Sequence, residues 1–197
     1  MSPAPLEPAA SRATLRDAIG EDSAGLRMTP EEFDAIENYD DTRRYELIDG
    51  VLVVNPIPLE AEADPNETLG YLLNDYRRRH PSGRSLDRTL PERYIRVGKN
   101  RRKADRVAWC GLGRRPNPRR DVPHIAVEFV SSGKRNWMRD YEEKRAEYHA
   151  AGVVEYWIID RFRRTMTVHR HGKSETTTLI VSEHDVYRTE LLPGFEL

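Results

Sequence analysis

Lys103-Ala104-Asp105-Arg106-Val107-Ala108-Trp109 and Ile125-Ala126-Val127-Glu128-Phe129-Val130 are the two stretches whose reading decides the fold. Each is a short apolar run of strand length carrying one carboxylate. In the second run Ile125, Val127 and Phe129 share one face and are all large, so that face packs on the core. The other face shows His124, Ala126, Glu128 and Val130, which places Glu128 beside a small residue where a ligand has room. A glutamate on a solvated sheet face is the ordinary alternative, and the apolar neighbours on both sides weigh against it.

Ser131-Ser132-Gly133 turns the chain into a helix expected from about Asn136 to Ala151. On a helical projection Trp137, Tyr141, Lys144, Tyr148 and Ala151 fall in one sector about 80° wide. Glu142, Glu143, Arg145 and Glu147 lie outside it. A lysine inside an aromatic stripe either snorkels to water or turns its ammonium inward to a carboxylate or phosphate. Gly152 ends the helix as its C′ residue. Two carboxylates on neighbouring strands with a lysine nearby can hold a divalent cation and activate a water against a phosphodiester.

Outward from this centre the signals are local and mechanical. Thr29-Pro30-Glu31-Glu32 starts a short helix, with Thr29 as N-cap, Pro30 at the first helical position and Glu32 at capping-box distance. Tyr45 to Ile48, Asp49-Gly50, then Val51 to Val54 reads as a hairpin with a type I′ turn. A helix follows from about Pro65 to His80, with Leu69, Leu72, Leu73 and Tyr76 at helical spacing. Strands are expected over 93–97, 105–109, 122–130, 155–160, 165–170 and 176–181, with Val186-Tyr187 a candidate start of another. The Gly- and Pro-rich segment from Gly111 to Arg120 is a loop. The fold class is therefore α+β or mixed α/β.

The chain has 197 residues, which suits one domain. Residues 1–27 are rich in Pro, Ala and Ser and read as a flexible tail, with a single domain over 28–197. No apolar run reaches the roughly 20 residues of a membrane span, Pro3, Pro5, Glu7 and Pro8 interrupt any secretion signal, and the single Cys110 excludes a disulfide within the chain. A reducing cytoplasm is the expected compartment. Net charge is only -1, yet Arg93, Arg96, Lys99, Arg101, Arg102, Lys103, Arg106, Arg114, Arg115, Arg119 and Arg120 crowd one region. Solvated loops often carry such runs, but a basic zone around an aspartate also suits an anionic substrate. His169 and His171 read as surface residues.

Several stretches together resemble the Uma2 family, putative restriction endonucleases of the PD-(D/E)XK nuclease superfamily. They are 45–50, Ala104-Asp105, 127–131, Asp140 with Lys144 and Tyr148, 151–157, and 191–197. The resemblance implies a restriction-endonuclease-like core, a mixed β-sheet flanked by helices. It makes Asp105 and Glu128 the metal pair, with Mg2+ the cofactor and Mn2+ a substitute. Glu46, carried by the Tyr45–Gly50 hairpin, is expected to face the same cleft, either as an extra metal ligand or behind the ligands. The superfamily lysine two residues beyond the second carboxylate is Val130 here, so its role passes to Lys144. Ala104 replaces the family's proline, and His124 stands where many relatives carry aspartate. Arg101, Arg102, Lys103, Arg114 and Arg115 are the expected nucleic-acid contacts, DNA the expected partner, and a homodimer is allowed for. The competing function is a nuclease-like module with a degraded site that holds nucleic acid or a protein.

Overall fold

The computed structural model describes residues 18–58, 60–131, 142–172 and 175–197, the side chains of 60–62 excepted. Among the described residues three α-helices, α1 (Pro30–Asp34), α2 (Glu60–Arg79) and α3 (Lys144–Ala151), accompany one mixed sheet of eight strands. The strands are β1 (Arg43–Ile48), β2 (Val51–Pro56), β3 (Leu86–Val97), β4 (Asn100–Cys110), β5 (Ile125–Phe129), β6 (Glu155–Asp160), β7 (Thr165–His171) and β8 (Thr176–Ser182). Their order is β2-β1-β4-β5-β6-β7-β8, with β3 paired along β4. Only β5 and β6 run parallel, and that crossover is the one that contains α3.

The local signals act as their chemistry requires. Thr29 accepts from the Glu32 backbone N–H at 3.1 Å while the Glu32 carboxylate accepts from the Thr29 N–H at 2.8 Å, closing the capping box of α1. Asp49 and Gly50 take φ of 49° and 75°, the double left-handed geometry of a type I′ turn. Gly152, at φ 93°, lets the chain leave α3. α2 begins earlier than expected, at Glu60, with Pro65 inside it. The preceding Glu60-Ala61-Glu62-Ala63 run consists of good helix formers, and a proline near a helix start removes only one bond of the ladder.

Other expectations shift. Residues 18–27, read as tail, lie against the β1–β2 hairpin: Gly25 N–H donates to Leu52 O, and Ile19 is buried with Phe33, Tyr45, Leu47 and Leu52. Trp137, Asp140 and Tyr141 lie outside the described residues. Val186-Tyr187 forms no strand; Tyr187 instead exchanges backbone bonds with Leu197. His169 is buried, its Nδ1 2.9 Å from the Thr178 hydroxyl. No helix among the described residues is long and apolar enough to cross a membrane.

Both sheet faces are covered. Leu69, Leu73 and Tyr76 of α2 pack with Ala108, Ile125, Val127 and Trp157 on one side. Tyr148 of α3 packs with Ala104, Val107, Ala126, Val130 and Ile158 on the other. Thus the face carrying Glu128 is a second core face rather than a solvated one. Ala104 and Val107 share that face although strict alternation puts residues three apart on opposite sides. β3 slips in the same way, since Leu90 and Ile95 both reach this cluster. Between them stand Pro91, which has no N–H to give, and Glu92, at a left-handed φ of 52°. The break falls opposite Asp105 and Arg106, because Pro91 pairs with Arg106 and Arg93 with Ala104.

Arg106, two residues before Ala108, shares its α2-facing side. Its Nε donates to the Asn66 side-chain oxygen at 2.7 Å, and its guanidinium lies where a Cβ on Gly70 would come within 2.5 Å. Gly70→Ala should therefore force the buried guanidinium from its bonds and lower stability by about 1–3 kcal/mol, read from denaturant midpoints. A second outcome follows from β7. Burial, with Arg145 adding to it, pushes the His169 imidazole from 6.5 down to about 4. The unfolded chain binds that proton below about 6.5 and the folded chain only near 4, so stability is full above this window and is lost as pH falls through it. Urea midpoints between those limits should fall less steeply for His169→Asn than for the parent.

Candidate active site

The strand β4 shares one edge between two partners. β1 reaches it at Leu47–Arg101, β5 at Arg106–Val127 through Ala108–Ile125, and β3 occupies the other edge. Residues 102–105 lie between those partners, where backbone groups need other acceptors and donors. Side chains supply them. Glu46 accepts from the Lys103 N–H at 2.9 Å, Lys144 Nζ lies 3.4 Å from Lys103 O, and Asn66 Nδ2 donates to Asp105 O at 2.9 Å. The opening between β1 and β5 is the floor of a cavity of about 670 Å3.

Asp105, Glu128, Glu46 and Lys144 all line that cavity. One further step of the β4–β5 register sets Asp105 opposite Glu128. The Phe129 N–H donates to Asp105 Oδ2 at 2.8 Å, and Arg44 Nη2 donates to Asp105 Oδ1 at 2.8 Å. Glu128 Oε1 lies 2.7 Å from Lys144 Nζ and accepts from the Tyr148 hydroxyl at 2.8 Å. Lys144 and Glu128 are each 3% exposed, so the ammonium points inward and does not snorkel. Burial, reinforced by the Glu128 charge, holds the Tyr148 phenol well above its usual range, which keeps it a donor. Glu46 is buried and 4.0 Å from Lys144 Nζ. It shares a face of β1 with Arg44, two residues away.

The basic residues divide. Arg101 is buried and makes a forked contact with Asp34, at 2.9 Å through each of Nε and Nη2. Arg102 is buried against Glu147. Arg106 is buried on Asn66. These side chains stabilise the fold and present no face to a polyanion. Arg114 and Arg115 are exposed, with Arg114 held by Asp121 at 2.6 Å. Lys103 stands at the cavity, its Nζ 3.2 Å from Glu92. His124 is structural: its Nδ1 accepts from the Cys110 N–H at 3.1 Å, and burial lowers its pKa.

Sequence reasoning missed Arg44, Asn66 and Glu92. Arg44 had a signal, since it precedes Tyr45-Glu46 at the spacing that shares the Glu46 face. Glu92 had another, a proline immediately before it in an otherwise regular strand. Asn66 had none, because nothing local tells which polar residue of a helix meets a strand 39 positions away.

As for what the arrangement can hold, all the anionic donors are carboxylate oxygens, which suits a hard divalent cation. The lining carries Asp41, Glu46, Glu67, Glu92, Asp105 and Glu128 against Arg43, Arg44, Lys103 and Lys144, a surplus of negative charge. No three His, Cys, Asp or Glu side chains among the described residues form a ready metal cluster.

The Lys144–Glu128 pair gives a test of its own. Lys144→Met removes the ammonium 2.7 Å from the buried Glu128 carboxylate and should cost about 3–5 kcal/mol. Adding Glu128→Gln should recover most of that loss, a coupling visible in a double-mutant cycle of chemical denaturation.

The chain resembles known proteins at two levels. The family model for Uma2, described as "putative restriction endonuclease", matches residues 30–197. A putative nuclease of the DUF820 group from Anabaena variabilis has the same fold, with a TM-score of 0.67 at 15% identity, over 86% of this chain and 94% of that one. No curated protein matches. With a match over most of its length, the chain belongs to the Uma2 family.

Proposed function

We propose that this protein is a metal-dependent endonuclease that hydrolyses phosphodiester bonds, with DNA as substrate and Mg2+ or Mn2+ as cofactor. The observation that carries the reading is the meeting of Asp105 and Glu128 across β4 and β5 at the floor of an open cavity, with Lys144 2.7 Å from Glu128. Family membership and the fold of a nuclease neighbour support it.

Asp105 and Glu128 would hold the cation, with Glu46 close behind them. When bound, the cation supplies Lewis acidity toward a phosphoryl oxygen and toward the attacking water. The protein's own groups do the rest. The Phe129 N–H and the Tyr148 hydroxyl fix the two carboxylates, so neither has to reorganise during the reaction. Lys144, held by Glu128 and the Lys103 carbonyl, presents a positive charge beside the reacting phosphate without reaching bulk water. Lys103 and Arg43, on the cavity wall, meet the backbone of the substrate strand and read no base.

A degraded site that only binds nucleic acid has one observation in its favour: both carboxylates already face cations, Asp105 with Arg44 and Glu128 with Lys144. Plasmid nicking separates the two readings. The parent should convert supercoiled to open-circular DNA only with Mg2+ or Mn2+. Asp105→Asn and Glu128→Gln should each slow this by about two to three decades while DNA retention in gel shift persists. Retention without nicking by the parent in either metal would establish the binding module instead.

A further inference from the structure

Among the described residues Arg44 is the cation paired with Asp105, and its surroundings are unusual. Its Nη2 is 2.8 Å from Asp105 Oδ1 and its Nε 3.0 Å from Glu92 Oε2. Glu92 falls opposite Asp105 at the break in β3, since the neighbouring pairs are Pro91–Arg106 and Arg93–Ala104. Glu128 falls opposite Asp105 on the other strand. Three acidic residues on three adjacent strands thus fall in register, and the charges of all three act on one guanidinium. Burial alone would weaken that guanidinium's hold on its proton, but the charges of Asp105, Glu92 and Glu128 outweigh burial and fix it as a cation.

We propose that Arg44 is a built-in competitor of the divalent cation, neutralising these carboxylates until metal binding displaces it from Asp105 onto Glu92. This rests on the nuclease reading above and adds a regulatory device to the same site. Two features support competition over mere positioning. Asp105 does not depend on Arg44 for its orientation, because the Phe129 backbone N–H holds its second oxygen at 2.8 Å. Glu92 already offers Arg44 a second resting place, and it is anchored by Lys103 Nζ at 3.2 Å. A guanidinium and a divalent cation cannot both lie against one carboxylate oxygen without strong repulsion in so buried a place. Once on Glu92, the planar fork of Arg44 remains at the cavity, where two phosphate oxygens match its geometry.

The two roles predict opposite signs. If Arg44 positions Asp105 as a ligand, its removal weakens metal binding. If it competes, removal strengthens binding. Calorimetric titration of the full chain with Mn2+, without DNA, reads the sign directly. Arg44→Met keeps the stem without the charge and should bind Mn2+ at least about tenfold more tightly than the parent. Its melting temperature should be lower than the parent's in chelator and should rise more on adding Mn2+. Arg44→Gln, which keeps an N–H for Asp105, carries the same expectation and serves if the methionine variant does not fold. Equal or weaker binding by the variants, beside a parent that binds, overturns the competitor role and leaves the nuclease reading standing. Binding by neither parent nor variants overturns both.

Discussion

Asp105 occupies the step at which β4 breaks its own alternation, and the site depends on that break. A regular strand would turn Asp105 and Val107 to one face and Ala104 and Arg106 to the other. Here Ala104 joins Val107 in the α3 core, Arg106 keeps the α2 side it shares with Ala108, and Asp105 lies at the opening between β1 and β5. The break is shared with β3, where Pro91 gives no N–H and Glu92 adopts a left-handed backbone. Such interruptions re-aim side chains, and they recur beside active sites for that reason.

The same opening explains why so many charged groups lie inside a protein of this size. Unpaired backbone groups along 102–105 and buried carboxylates both require partners, and one set of side chains serves both needs. Glu46 accepts a backbone N–H while facing Lys144; Lys144 meets a carbonyl while pairing with Glu128. Each member satisfies two obligations, so the network is rigid without being apolar. That rigidity is what electrostatic preorganisation requires of a site where charge develops.

Much of this was legible in the sequence. The type I′ turn at Asp49-Gly50, the capping box of Thr29 and Glu32, and the C′ glycine at 152 are strictly local, and local chemistry decided them. The inward side of α3 was legible too, because Lys144 and Tyr148 obey one helical period. What escaped needed long-range pairing. A run of arginines looks the same whether it faces water or meets Asp34, Glu147 and Asn66, which lie far away in the chain. His169 escaped for a related reason: it packs beside Tyr156 of β6 and Thr178 of β8, not against neighbours along β7. For the second face of β5 a solvated strand was the ordinary alternative, and the apolar neighbours of Glu128 weighed against it; Ala126, Glu128 and Val130 are all buried.

Asn66 and Gly70 of α2 stand one turn apart and address consecutive residues of β4. Asn66 donates to the carbonyl of Asp105 and accepts from Arg106, while Gly70 clears space for the Arg106 guanidinium. The helix is therefore keyed to the strand at a fixed rotation. A single residue inserted between these two positions would turn one contact about 100° away from the other. One inserted before Glu60 would leave both in phase. Length variation in this helix is thus confined to its ends, and the four-residue step from Asn66 to Gly70 is a ruler whose count cannot change while β4 keeps its shape.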